Sequence, residues 1–318
     1  MADFSLSAPR ERAPSLSGGY LLAGAGAILF SLKGVLVKLV YGDGAAREVD
    51  AITLMTLRMA FSLPFYVVIG AYGWKARAAR GEPAFSKRLL AKAALVGLLG
   101  FYVSSYLDFA GLQYLSAQFE RLILMTYPAF VALLGAAFFG ARLTAGRLAA
   151  LAISYSGILF IFATGATAKG DNAMLGAALV FGASFTYALY NLLARPLVAQ
   201  IGASIFTSIT TLAACGGVLL HFITQRSLLD LTAVPARAVA LAAAMAITST
   251  VLPSFMLTAA LNRVGAQAVS MIGTISPVST IILAMVILGE PFTAADAIGT
   301  TLVIAGIAIF TYQDARRR

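Results

Sequence analysis

Apolar residues run through this chain in long unbroken stretches separated by short polar ones, and they do not alternate. Ten such stretches, each about 20 residues long, stand at roughly 19–41, 49–73, 88–111, 114–139, 146–165, 173–195, 201–225, 238–261, 264–289 and 292–313. A bilayer core holds no water to satisfy backbone N–H and C=O groups, so only helices and closed barrels cross it. Barrel strands would show short alternating segments instead. The predicted fold class is therefore all-α, a polytopic membrane protein of ten transmembrane helices. Several connections are short enough that neighbouring helices must pack antiparallel.

Composition agrees. The chain is 60% hydrophobic and 11% charged, with a mean hydropathy of +0.89, whereas soluble domains are about half apolar and a quarter charged. The excess is spread over the whole length and leaves no room for a large soluble domain. The net charge of +10 would suggest nucleic acid in a soluble protein. Here Lys and Arg sit mostly in the short connections and set orientation instead. With the amino terminus inside, fifteen fall on the inner side, among them Arg77, Arg80, Lys87 and Arg88, and only Arg47, Lys169, Arg226 and Arg237 on the outer side. Both termini are thus expected in the cytoplasm. Tyr72 and Trp74 fit an inner aromatic belt and Tyr41 an outer one. Residues 1–18 read as a disordered cytoplasmic tail, and no secretory signal is expected, because the first apolar run is long enough to span.

An internal repeat organises the pattern further. Slid by 149 positions, residues 111–161 lie over 260–310 without a gap. Gln118 then covers Gln267, Pro128 covers Pro277, Gly140 covers Gly289, Thr144 covers Thr293 and Gly157 covers Gly306. The first span resembles the sixth at a different offset, Phe30–Lys38 over Tyr187–Arg195. Residues 19–165 and 173–313 are thereby predicted to form two five-helix repeats. Five is odd, so the second half enters the membrane from the opposite side. Such inverted repeats are common among secondary transporters, which bind substrate near the midplane between the halves.

The stretch from Thr126 to Thr144 (TYPAFVALLGAAFFGARLT) resembles the fourth-helix signature of the drug/metabolite transporter superfamily, in its EamA-type branch. Ile275 to Thr293 (ISPVSTIILAMVILGEPFT) resembles the same signature in a second copy. The resemblance covers about 20–162 and 173–312. Its signature carries a glutamate after the glycine, which Glu290 keeps and Ala141 lacks. We expect that glutamate to act at a helix terminus. The resemblance implies export of amino acids or other small metabolites across the bacterial inner membrane.

Charges inside spans are costly and mark candidate sites. Lys33, Lys38, Arg58, Asp108, Glu120 and Arg121 are such charges. Lys38 and Asp108 stand near outer span ends, where snorkelling or water suffices to solvate them. Arg58 reads as a structural partner of a carboxylate. Lys33 divides evenly between substrate contact and an internal ion pair. Gln118, Arg121, Met125 and Pro128 share one helical face, and their mates Gln267, Ser270, Thr274 and Pro277 share another. The predicted substrate site is Lys33, Glu120, Arg121, Tyr187, Gln267, Ser270 and Thr274. Arg121 would grip a carboxylate through two parallel hydrogen bonds. Glu120 would take an ammonium group or a coupling proton. Tyr102, Tyr106, Tyr187 and Tyr190 are candidates for stacking. Pro64, Pro128, Pro253 and Pro277 are expected to kink their spans.

Enzyme motifs are missing. There is no HExxH and no Walker loop. His221 and Cys215 are each single, which rules out a His-based triad by sequence and leaves no expected metal or cofactor. The expected partners are a small-molecule substrate, a proton and the lipid bilayer, with no nucleic acid. Both halves lie in one chain, so a monomer is sufficient. The competing readings are an organic-phosphate or nucleotide-sugar exchanger, which three intramembrane cations would suit, and a membrane scaffold or enzyme without transport.

Overall fold

A computed structural model of the chain describes residues 16–42, 49–140, 144–164, 172–273 and 275–315. Most of the predicted tail, residues 1–15, lies outside the described residues, as do Arg47, Ala141, Arg142, Lys169 and residues 316–318. The helices in chain order are α1 Leu16–Tyr41, α2 Ala51–Ala79, α3 Lys87–Gly97, α4 Ser104–Gly111, α5 Ala117–Leu124, α6 Tyr127–Phe139 and α7 Ala145–Ala163. Then follow α8 Ala173–Ile201, α9 Ala203–Gln225, α10 Ala236–Met245, α11 Leu252–Gly273, α12 Ser276–Leu288 and α13 Ala294–Ala315. Eight helical stretches are long and apolar enough to cross a membrane, and Ser276–Leu288 and Ala294–Phe310 are shorter apolar helices. No strand occurs among the described residues. The molecule is an all-α polytopic membrane protein.

Several of these stretches are not single α-helices. α3 and α4 are joined by a π-helical turn, Leu98–Val103, and α10 and α11 by another, Ala246–Val251. The two turns fall within one residue of each other under the 149-residue shift, although their sequences share no obvious pattern. Pro128 and Pro277 do more than kink. Each sits in the first turn of a new helix, α6 and α12. Proline belongs there because its missing N–H would be unsatisfied in any case. The α5–α6 break is repaired by side chains. The Thr126 hydroxyl donates to the Ile123 carbonyl at 2.7 Å, and the Ser184 hydroxyl to that of Leu124 at 3.3 Å. Such repair is what allows a broken helix at membrane depth. Pro64 lies inside α2, which continues through it, and Pro253 directly follows the second π-helical turn.

Copy-related features also close the helices. α6 ends at Gly140 (φ 68°) and α12 at Gly289 (φ 64°), both left-handed, where a Cβ would be strained. α7 starts at Thr144, whose hydroxyl accepts from the Arg147 amide at 3.4 Å. α13 starts beside Thr293, whose hydroxyl accepts from the Asp296 amide at 3.3 Å. α7 and α13 pack against each other through Gly157 and Gly306. A Cβ on the first would stand 2.5 Å from the Gly299 carbonyl, and on the second 2.6 Å from that of Ala150. α1 packs on α11 and α12, α4 on α8, and α2 on α9. The largest core cluster joins the end of α1, the start of α2, α4, α9 and α10 through Met55, Phe109, Phe222 and Met245.

Candidate functional site

The intramembrane charges converge where α1, α4, α5 and α12 meet. Lys33 of α1 forms an ion pair with Asp108 of α4 and lies 3.8 Å from the Glu120 carboxylate of α5. Asp108 and Glu120 are 3% and 1% exposed, and their carboxyl groups stand within hydrogen-bonding reach of each other. No donor reaches Asp108 Oδ1 or Glu120 Oε1 among the described residues. Two buried carboxyls facing one ammonium therefore leave oxygens that a proton, a water or a ligand's donor can satisfy.

Arg121 follows Glu120 on α5 and points toward the second half of the chain. Its guanidinium donates to Ser276 Oγ at the start of α12, and its carbon lies 5.2 Å from the centre of the Phe30 ring. The Ser276 hydroxyl is also 2.6 Å from that of Ser31. Ser276, bonded in turn to Ser31, and the Phe30 ring thus hold the guanidinium between α12 and α1, while Arg121 Nε keeps no partner. Tyr127 and Tyr187 are close enough to feel the charge of Arg121. Their rings meet edge to face at 5.3 Å, and Tyr187 stacks on Tyr190 at 5.7 Å. The result is a buried cation with an unpartnered Nε donor, two under-satisfied carboxyls and an aromatic wall.

Of the predicted site residues, Lys33, Glu120, Arg121 and Tyr187 come together here. The side chains of Gln267 and Ser270, and residue Thr274, lie outside the described residues. Other expectations are corrected. Asp108 is not a water-reached end residue but the buried partner of Lys33, because a helix two spans away reaches it. The face predicted through Gln118, Arg121, Met125 and Pro128 is broken, since α5 ends at Leu124 and α6 begins at Tyr127. Met125 and Pro128 line instead a small gap toward α7 and α13 with Leu151 and Phe310. Arg58 lies over the Phe109 ring at 4.9 Å. Tyr102 and Tyr106 belong to a separate group around His221: the Tyr102 hydroxyl is 3.0 Å from His221 Nδ1, and the Tyr106 ring meets the imidazole at 4.9 Å. Sequence reasoning missed Ser31, Ser276, Phe30 and Tyr127. One signal was present: Ser276 and Tyr127 are register mates, each just before the repeated proline.

Charges buried between the helices of a membrane protein mark a candidate site for a solute or an ion. The EamA-like transporter family model matches residues 17–163 and 174–312, and the chain belongs to that family. It is 30% identical over 287 residues to the uncharacterized transporter YcbK of Bacillus subtilis, covering 86% of both chains. It is 25% identical over 217 residues to the uncharacterized transporter YyaM of the same organism, covering 67% of this chain and 70% of that one. A crystal structure of another protein, 18% identical, matches 96% of this chain and all of the other with a TM-score of 0.58, which supports the fold alone.

Proposed function

We propose that this membrane transporter is a secondary transporter that exports amino acids or similar small metabolites across the bacterial inner membrane by alternating access, with both termini in the cytoplasm. The observation that carries the reading is the buried group of Arg121, Ser276, Lys33, Asp108 and Glu120, built from α1, α4 and α5 and from α12 in the second half. A zwitterion brings a carboxylate and an ammonium into the membrane, and each costs several kcal/mol to desolvate without a partner. The unpartnered Nε of Arg121, with Nη2 exchanging its bond to Ser276, suits the carboxylate. Asp108 and Glu120 offer acceptors for the ammonium, or hold a coupling proton between them when it is absent. Gln267, Ser270 and Thr274 complete the proposed lining from the second half.

A phosphate exchanger fits less well. Lys33 is already matched by Asp108, which leaves fewer uncommitted cations for a multiply charged anion. Flux of a panel of amino acids in proteoliposomes tests the proposal. Arg121→Lys is expected to weaken transport of carboxylate-bearing substrates while the protein still folds. Glu120→Gln is expected to remove pH dependence if the carboxyl carries a proton, and only to lower affinity if it binds substrate. Parent-like flux in both variants would overturn the site assignment, and strong inhibition of flux by inorganic phosphate would favour the exchanger.

A further inference from the structure

The structure assigns a role to Glu290: it is a positioning residue that clasps one end of the transport pathway shut, with no counterpart at the other end. Glu290 is 6% exposed and stands just beyond α12. It reaches across to the first half, where Oε1 accepts from the Ala117 amide at 2.9 Å and Oε2 from the Gln118 amide at 3.3 Å. The Gln118 side chain donates back to the Pro291 carbonyl at 3.3 Å. Ser116 takes the next two donors, accepting from the Phe119 amide on its hydroxyl at 3.2 Å and from the Glu120 amide on its carbonyl at 3.0 Å. The start of α5 is thus fully capped, half of it by a residue more than 170 positions away. A carboxylate is the group a helix amino terminus holds best.

The next residues on α5 are Glu120 and Arg121. Glu290 therefore fixes the helix end that carries the proposed substrate grip, and it does so from the opposite half. Further bonds tie the same end of the bundle: Lys38 Nζ donates to the Leu112 carbonyl at 3.2 Å and the Tyr41 hydroxyl to that of Phe109 at 3.0 Å. The repeat makes the contrast informative. Under the 149-residue shift, Ala117 lies over Ala266, just after Gly265, where the backbone leaves the helix at φ 80°. Glu290 lies over Ala141, whose side chain has no acceptor. One end carries an inter-half carboxylate clasp; the sequence of the other cannot supply the equivalent one. The clasped end is the outer one in the proposed orientation. Opening outward requires Glu290 to release two amide hydrogen bonds.

This rests on the alternating-access reading and is tested without measuring flux. In a Cys215→Ala background, Ser31→Cys reports access to the buried group. A membrane-impermeant thiol reagent is added from either face of oriented vesicles. Glu290→Ala is expected to raise labelling from the Glu290 face at least fivefold, with Glu290→Asp in between. Ala141→Glu is expected to lower labelling from the opposite face, and it serves as the independent arm should Glu290→Ala fail to fold. Hydrogen exchange over residues 113–124 is expected to lose protection in Glu290→Ala. Lost protection with unchanged sidedness would overturn the proposal by reducing Glu290 to a helix cap. Unchanged labelling with Ala141→Glu would overturn it equally. Absence of flux for every substrate tried would count against the transport assignment and leave both arms able to judge the clasp.

Discussion

The two copies of the repeat keep the same helix breaks and differ in their chemistry. Pro128 and Pro277 both open a helix, Gly140 and Gly289 both close one, and Gly157 and Gly306 both make room for a crossing backbone. The charged residues do not recur. Under the same shift Asp108 lies over Leu257, Glu120 over Val269 and Arg121 over Ser270. Backbone breaks are fixed by geometry that any duplicated half must reproduce. A side chain pointing into the shared interior has to suit one substrate only once, and a second arginine there would add another charge to desolvate. Duplication thus preserves the frame and frees the interior to become asymmetric.

Replacing first-copy residues by their second-copy mates gives the largest expected effect. Asp108→Leu should leave Lys33 buried with Glu120 3.8 Å away as its remaining described partner. Breaking a buried pair from one side costs about 3–5 kcal/mol, seen as a large fall in the apparent melting temperature in detergent. The double variant Lys33→Met, Asp108→Leu should recover most of it. A double variant as unstable as the single one would mean that the pair is not what ties α1 to α4.

Arg121→Ser installs the mate residue at the centre of the proposed grip. A hydrogen bond to a charged group contributes about 1.5–3 kcal/mol, so the apparent affinity for a carboxylate substrate should fall by about 10-fold or more in a flux assay. Stability should change less, because Arg121 Nε is unpartnered already. Affinity unchanged in this variant would remove Arg121 from the site.

The glycine mates test the frame itself. Gly157→Ala and Gly306→Ala each push a Cβ against a backbone carbonyl, at 2.5 and 2.6 Å. Overpacking of this kind costs about 1–3 kcal/mol, and the two variants should lose similar amounts. Gly24→Ala, where a Cβ meets nothing within 4 Å, is the control and should be neutral or mildly stabilising. Unequal losses at Gly157 and Gly306 would break the equivalence of the two crossings.

Much of this frame was legible in the sequence. Span positions followed from the length of the apolar runs, and Pro128, Gly140, Thr144 and Gly157 announced themselves by recurring. Two kinds of feature were hidden. The break between α5 and α6 occupies only Met125 and Thr126, and it rotates everything beyond it out of the helical phase that periodicity assumes. Partners across the bundle were hidden too. Nothing near Asp108 in sequence points to Lys33, and nothing near Glu290 points to the Ala117 amide. Depth along one helix predicted that Asp108 would meet water, but what a residue meets depends on its neighbouring helices.

The smallest expected effect concerns how the second helix of each half begins. α2 starts at Asp50, whose carboxylate accepts from the Thr53 amide at 2.9 Å, whereas α9 starts at Gly202 with no side-chain cap. Asp50 also pairs with Arg226 just beyond α9 at 2.8 Å, so one carboxylate ties the two helices together. Burial pushes its acidity toward the neutral form, but the Thr53 hydrogen bonds and the Arg226 charge outweigh that and hold it below the ordinary 3.8. A group lowered in the folded state stabilises fully above its unfolded value and loses that contribution as pH falls through the folded one. The Asp50 contribution should therefore be constant at neutral pH and fade only below about pH 4. Both partners are partly exposed, 33% and 47%, so the pair should add no more than about 1 kcal/mol. Asp50→Asn keeps a capping oxygen and loses the charge, which separates the two roles. It should cost less than Asp50→Ala and remove the acid-side dependence of the melting temperature. If Asp50→Asn matched Asp50→Ala, the link to Arg226 rather than the cap would be what distinguishes the start of α2 from that of α9.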